Sequence, residues 1–250
     1  MLLAGRAPSS CILYHALSQA FPDLHVVAED RPSTIGLLRR RVRRLGPLTV
    51  LGQALFVGVV VPVLRILGEE RIEAIKHEFS LDDSQIDRTV HRVTSVNAPE
   101  ARTVLRCLKP AVVVVGGTRI IDRETLQAVD APFINMHAGI TPRYRGVHGG
   151  YWALTEGQPD LVGTTVHFVD EGIDTGKIIA QRTFAVTHED SFVTYPYLHA
   201  AAGLPSLIAA VRAVLEGTPP EGYSRDDLSR LRSHPTLWGY LWRRAARRIR

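Results

Sequence analysis

The chain has 250 residues, 45% of them hydrophobic and 22% charged, which suits one large domain or two small ones and excludes a disordered or fibrous protein. Its net charge of +5 is local: Arg39, Arg40, Arg41, Arg43 and Arg44 form one group, Arg243, Arg244, Arg247, Arg248 and Arg250 the other, and the centre is near balance. Such groups read as solvated helix faces, so no nucleic-acid partner is expected and contact with a membrane surface is the minority reading.

Taken in chain order, residues 1–4 form a short apolar strand, and Ser9 or Ser10 caps a helix running to about Ala20. Residues 24–28 are a second strand, and Asp30, Pro32 and Ser33 turn into an arginine-rich helix. Residues 46–64 carry no charge. They reach the lower limit of a membrane span but are interrupted by Pro62 and three glycines, so a buried or partner-covered helical pair is expected, with an interfacial helix as the alternative. Residues 93–96 are a strand, 97–108 a helix stopped by Pro110, and 111–115 an aliphatic run suited to a strand buried on both faces. A helix over 122–129 and strands over 132–135, 162–169 and 177–184 follow. Residues 191–215 are helical but broken at Pro196 and Pro205. From Leu237 the tail places Trp238, Trp242, Ala245 and Ile249 on one helical face with arginines opposite, as a docking helix would. Cys11 and Cys107 lack ligand-like spacing and read as two buried thiols of a reducing, cytoplasmic protein. The apolar start is short and unlike a signal peptide.

Strands alternating with helices predict an open α/β sheet, whose ligands bind beyond the carboxyl ends of its strands. Three polar features fall at such ends: the segment after Gly116-Gly117, the pair Asn135 and His137, and Asp174 in a Gly-flanked loop. Asn, His and Asp supply what acyl transfer to an amine needs. The amide and a protonated imidazole donate to an oxyanion, and the carboxylate accepts the proton of the attacking amine. The same residues also suit a loop tie and a turn, and spacing alone does not separate the two readings. No histidine pair has metal-ligand spacing, and no phosphate-binding or dinucleotide fingerprint occurs, so no metal is expected.

The run from Asn135-Met136-His137 through Pro142-Arg143-Tyr144-Arg145-Gly146, with Gly163-Thr164-Thr165-Val166-His167 and Ile173-Asp174-Thr175-Gly176 downstream, resembles the folate-dependent formyltransferase family. That family includes glycinamide ribonucleotide transformylase, methionyl-tRNA formyltransferase and the amino-sugar N-formyltransferases. The resemblance covers residues 111–181 well and the rest by pattern. It implies a Rossmann-like formyltransferase domain with a mostly parallel sheet and helices on both faces, over residues 1–218. A hydrophobic helical insertion near 46–67 and a basic helical tail over 219–250 complete the expected organisation. It implies Asn135, His137 and Asp174 as catalytic residues. Thr118, Arg119, Ile120, Ile121, Val169, Asp170 and Gly172 would contact the co-substrate, 10-formyltetrahydrofolate. Arg6, Ser9, Ser10, Tyr144, Arg145 and Trp152 would face the amine acceptor.

The first loop departs from the family's phosphate-holding pattern, and His137-Ala138-Gly139 replaces the usual His-Pro-Ser. Expected partners are a small-molecule amine, either an amino-sugar nucleotide or glycinamide ribonucleotide, with a second copy of the chain in a homodimer and a peripheral membrane contact as the alternatives in assembly. A formyltetrahydrofolate hydrolase, or an enzyme of the methionyl-tRNA type lacking its C-terminal domain, are the competing activities, and a non-enzymatic folate-binding relic comes last.

Overall fold

A computed structural model describes residues 1–31, 34–86, 90–225 and 229–247, so the expectations on Pro32, Ser33 and Ile249 lie outside the described residues. Seven strands form one sheet in the order β3-β2-β1-β4-β5-β6-β7. They are β1 (Leu2–Ala4), β2 (Val26–Glu29), β3 (His91–Val93), β4 (Val113–Gly116), β5 (Phe133–His137), β6 (Gly163–Phe168) and β7 (Ile178–Thr183). The first five pair in parallel, and β6 and β7 are antiparallel to their neighbours. The sheet is therefore mostly parallel and Rossmann-like, and the chain reverses its winding between β1 and β4.

Period-two alternation sets the two layers. Leu2, Ala4, Val114 and Ile134 face one cluster together with α1 (Pro8–Ala20) and α9 (Tyr195–Leu215). Leu3, Val113, Val115 and Phe133 face the other, against α6 (Pro99–Leu108). Helices thus cover both faces.

Several local expectations are corrected. Helix α1 is capped by Ala7, with Pro8 in its first turn, and the Ser10 hydroxyl donates instead to the Gly116 carbonyl at 2.9 Å. Strand β3 ends at Val93, because the Val96 N–H goes to the Glu29 carboxylate rather than to a ladder. Helix α9 is unbroken. Pro196 lies in its first turn, where no N–H is required, and Pro205 is accommodated inside it. Cys107 is exposed on α6 and Cys11 half-buried, so neither is a core thiol.

The uncharged segment is one helical run rather than a pair. After α2 (Thr34–Leu45) come α3 (Pro47–Leu55), a π-helical turn (Phe56–Val60) and α4 (Val61–Leu67). Pro62 has no N–H to offer the turn before it, and there the Val61 N–H bonds the Phe56 carbonyl five residues back. The run is held by a third cluster in which Phe56, Tyr151, Phe192 and Tyr240 meet, and then leads through α5 (Glu69–Glu78) to β3. Helices α7 (Arg123–Leu126) and α8 (Gly149–Thr155) follow β4 and β5, and the chain closes with α10 (Leu237–Arg247).

Candidate active site

Beyond the carboxyl ends of β4 and β5 lies a cleft of about 560 Å³. Asn135, His137 and Asp174 all line it, although the route to that convergence differs from the one expected. Because β6 is antiparallel, Phe168 lies opposite Ile134 near the start of β5, and the loop after β6 turns back to carry Asp174 to His137. Asp174 adopts a left-handed φ of 53°, a conformation that Asp tolerates better than most residues.

The hydrogen bonds fix protons on named atoms. Nε2 of His137 lies 2.7 Å from the Tyr144 carbonyl, which can only accept, so Nε2 carries a proton. Nδ1 then faces Oδ1 of Asp174 at 3.3 Å, looser than a tight charge-assisted bond of about 2.8 Å. The other oxygen of Asp174 accepts the Gly146 N–H at 2.8 Å. Arg145 brackets the same loop, donating from Nε to the Ile173 carbonyl at 2.8 Å and from Nη1 to Ser229 at 3.2 Å. Gly139 is required at its position. An added Cβ would lie 2.8 Å from His137 Nε2 and collide with the Tyr144 carbonyl, so the chain that lacks the usual Ser here has made room for that bond.

Asn135 is oriented by a residue of the 163–167 run to which the sequence alone assigns no role. His167 sits opposite it in the register, with Nδ1 donating to the Phe168 carbonyl at 2.7 Å. Nε2 of His167 is left as an acceptor for the Asn135 amide, 3.2 Å away. Burial, and the neighbouring His137, push the His167 imidazole below its ordinary value, which keeps that acceptor free of a proton. The remaining N–H of Asn135 is available to the cleft.

Two further imidazoles reach the cleft wall. His199 is buried, with Nδ1 on Thr164 at 3.0 Å and Nε2 bonded to nothing, and burial pushes it down to about 3. His148 contacts His234 at 2.9 Å and is lowered to about 3, again chiefly by burial.

A formyl transferase family model matches residues 76–208, more than half of the chain. The chain belongs to the formyl transferase family. A methionyl-tRNA formyltransferase from Pelotomaculum thermopropionicum is 36% identical over 118 residues, 47% of this chain and 37% of that protein. The match therefore spans little more than a third of that relative. In three dimensions a 4-N formyltransferase from Francisella tularensis superposes with a TM-score of 0.56 at 11% identity, covering 93% of this chain and 75% of that one. An N-formyltransferase from Helicobacter canadensis, solved with folinic acid and dTDP-3-aminofucose, superposes with a TM-score of 0.55 at 16% identity over 91% and 68% of the two chains. These likenesses show the shared fold.

The remaining family-derived positions divide by what they touch. Thr118, Arg119, Ile120, Ile121, Val169, Asp170 and Gly172 all line the cleft. The Arg119 guanidinium is occupied by Glu29 at 3.0 Å and by the Thr94 and Asp30 carbonyls, so it ties loops together. Asp170 accepts from Gly172 and Thr175 and closes its own turn. Among the acceptor-side residues Ser9 lines the cleft. Arg6 is paired with Asp30, and Ser10 is tied to Gly116. Tyr144 is fully buried, and what it gives the site is its carbonyl. Trp152 donates to the Ser233 carbonyl at 3.1 Å and lies against the Arg232 and Arg243 guanidiniums, away from the cleft. His167 was legible only as a histidine at an inward strand position directly opposite Asn135, a signal that needs the register.

Proposed function

We propose that this chain transfers a formyl group from 10-formyltetrahydrofolate to the primary amine of a small acceptor. The observation that carries the reading is the meeting of Asn135, His137 and Asp174 on one cleft whose volume suits a small-molecule site. The residues present fit the donor. Aliphatic Ile121, Val115 and Leu13 offer apolar walls, and the backbone of residues 118–121 is held in place by Asn97, which donates to the Ile120 carbonyl and accepts from the Asp122 N–H. The donor supplies an electrophilic formyl carbon, and everything else is assigned to the chain.

As the amine attacks, the formyl oxygen gains charge. Asn135 offers it the N–H that His167 does not hold. His137 acts here as the imidazolium: Nε2–H stays on the Tyr144 carbonyl, and the second proton, on Nδ1 facing Asp174 at 3.3 Å, is the one offered to the oxyanion. Each such donor is worth about two to three powers of ten in rate. Asp174, fixed by Gly146 and the Arg145 bracket, takes the proton that the attacking nitrogen loses. The leaving nitrogen of the donor recovers a proton from the same His137–Asp174 pair, so the balance closes without another reactant.

For the acceptor, an amino-sugar nucleotide is favoured over glycinamide ribonucleotide. Two of the three residues that would hold a ribonucleotide phosphate, Arg6 and Ser10, are engaged elsewhere, and the Helicobacter enzyme that shares the fold was solved with an amino-sugar nucleotide. Incubation with 10-formyltetrahydrofolate and a panel of amines tests this: dTDP-amino sugars, glycinamide ribonucleotide, and methionyl-tRNA because its formyltransferases are matched in sequence. The expected product is an amino sugar heavier by one formyl group. Formate released at the same rate without any amine would overturn transfer in favour of hydrolysis.

A further inference from the structure

We propose that α2, the Pro47–Leu67 run and α10 form a monotopic docking surface for an anionic lipid membrane. The run is 21 residues long, and an 18-residue window within it has a mean hydropathy of 2.2 with only 28% buried. One face is committed to the domain. Gln53 is buried and donates to Ser233 Oγ at 3.1 Å and to the His234 carbonyl at 2.8 Å, and Phe56 packs edge-on against Phe192. The opposite face is also apolar: Leu48, Leu51, Leu55, Val59 and Ile66 point outward, Ile66 at 74% exposure. A helix apolar all round, half attached and half bare, is unfavourable in water but suits a water–lipid boundary. The Gln53 and Phe56 attachments hold it against the domain, so it lies in the boundary instead of crossing it.

Charge supplies the partner. Arg39, Arg40, Arg41, Arg43 and Arg44 on α2 are all exposed, and none makes an ion pair with an acid among the described residues. Four of them surround a shallow hollow beside Gly36. Helix α2 packs on α3, and α10 packs on both α3 and the π turn, so the cationic and apolar parts are contiguous. Helix α10 adds Trp242 at 62% exposure and Leu241, with Trp238 over Gly52, the kind of residues that settle at headgroup depth. Glu69 and Glu70, at the start of α5, bound the patch. Guanidiniums without carboxylates beside a bare apolar stripe fit phosphate headgroups over acyl chains. The surface also borders the catalytic cleft, since His234, bonded to Gln53, contacts His148 in the cleft wall.

The test is sedimentation of the full chain with vesicles of phosphatidylglycerol and phosphatidylcholine, against vesicles of phosphatidylcholine alone. Binding is expected to the anionic vesicles, weakening as salt is raised. A triple variant, Leu51→Asp, Val59→Asp and Ile66→Asp, should bind at least tenfold more weakly, as should Arg40→Glu with Arg43→Glu, both with unchanged circular dichroism. Leu215→Asp, which alters an exposed leucine at the far end of α9, should bind like the parent. Equal binding to neutral vesicles, or full binding by the triple variant, would overturn the proposal. So would a dimer that the triple variant splits and that ignores vesicles. No substrate is needed, so this result is independent of the formyl-transfer assay.

Discussion

Between β5 and β7 the polar side chains of the site answer to one another: Asn135 to His167, His137 to Tyr144 and Asp174, Asp174 to Gly146, Arg145 to Ile173. Along α2 the five exposed arginines have no acidic partner among the described residues, and the helical run after it turns leucine and valine to the outside. The first region is built so that removing one group strands another in a buried place. The second makes few internal demands, and its composition makes sense only towards something outside the chain. Substitutions should therefore be costly in the first and nearly silent for folding and catalysis in the second.

The largest effect is expected at the proposed catalytic pair. His137→Ala or Asp174→Ala should lower formyl transfer by roughly a hundred- to ten-thousand-fold, measured as kcat with the best acceptor, while the protein stays folded. Rates near those of the parent would remove both residues from the mechanism. Next comes Gly139→Ala. The new Cβ would press on the Tyr144 carbonyl and on His137 Nε2, so it should cost about 1–3 kcal/mol of stability together with most of the activity. Thermal melting and kcat measured side by side check this, and a variant unchanged in both would show that the His137–Tyr144 bond does not constrain the turn.

Acid should separate the regions as well. His199 is lowered to about 3 from 6.5 because it is buried with Nε2 unbonded. Below pH 6.5 the unfolded chain takes up a proton that the folded chain refuses. Stability is therefore complete above 6.5 and is lost progressively as pH falls towards 3. Between pH 6.5 and 5 this one residue accounts for on the order of 2 kcal/mol. Urea unfolding at the two pH values should show the loss, and His199→Gln should make it smaller, leaving the share that belongs to the equally lowered His148. An unchanged slope would mean that other groups govern acid sensitivity.

How much of this was legible depended on range. The aliphatic run at 111–115 and the Asn135-x-His137 pair are local patterns, and β4 and β5 appeared with ends within two residues of those expected. The direction of β6 is not local: nothing between 162 and 169 says whether the strand runs with β5 or against it. The expectation that Asp174 sits beyond a parallel strand therefore reached the right cleft by the wrong path. His167 was missed for the same reason, since its role exists only in the register with Asn135. Arg145 looked like a ligand for an acceptor because an exposed guanidinium and one satisfied by two backbone carbonyls read the same in sequence. On the helical side the uncharged stretch was recognised, but its burial was overestimated. Apolar residues on both faces of a helix suggest a core, and only tertiary structure shows that one face was left uncovered.

The smallest effect is expected at Gly36, and it probes the silent side of the comparison. Gly36 lies within α2, where a Cβ would meet nothing within 4 Å. Alanine restricts the unfolded chain and favours the helix, so Gly36→Ala should raise stability by up to about 1 kcal/mol if α2 unfolds together with the domain. Formyl transfer should not change, because no residue of α2 lines the cleft. Denaturant midpoints measured with a far-ultraviolet probe and with a tryptophan probe make the outcome sharp. Coincident transitions, both moved upward, would show that the arginine helix belongs to the cooperative unit. A gain seen in the far-ultraviolet signal alone would mean that α2 melts separately and draws its order from whatever it docks on. A loss of stability would contradict the open surroundings of Gly36 and with them the contrast between the two regions.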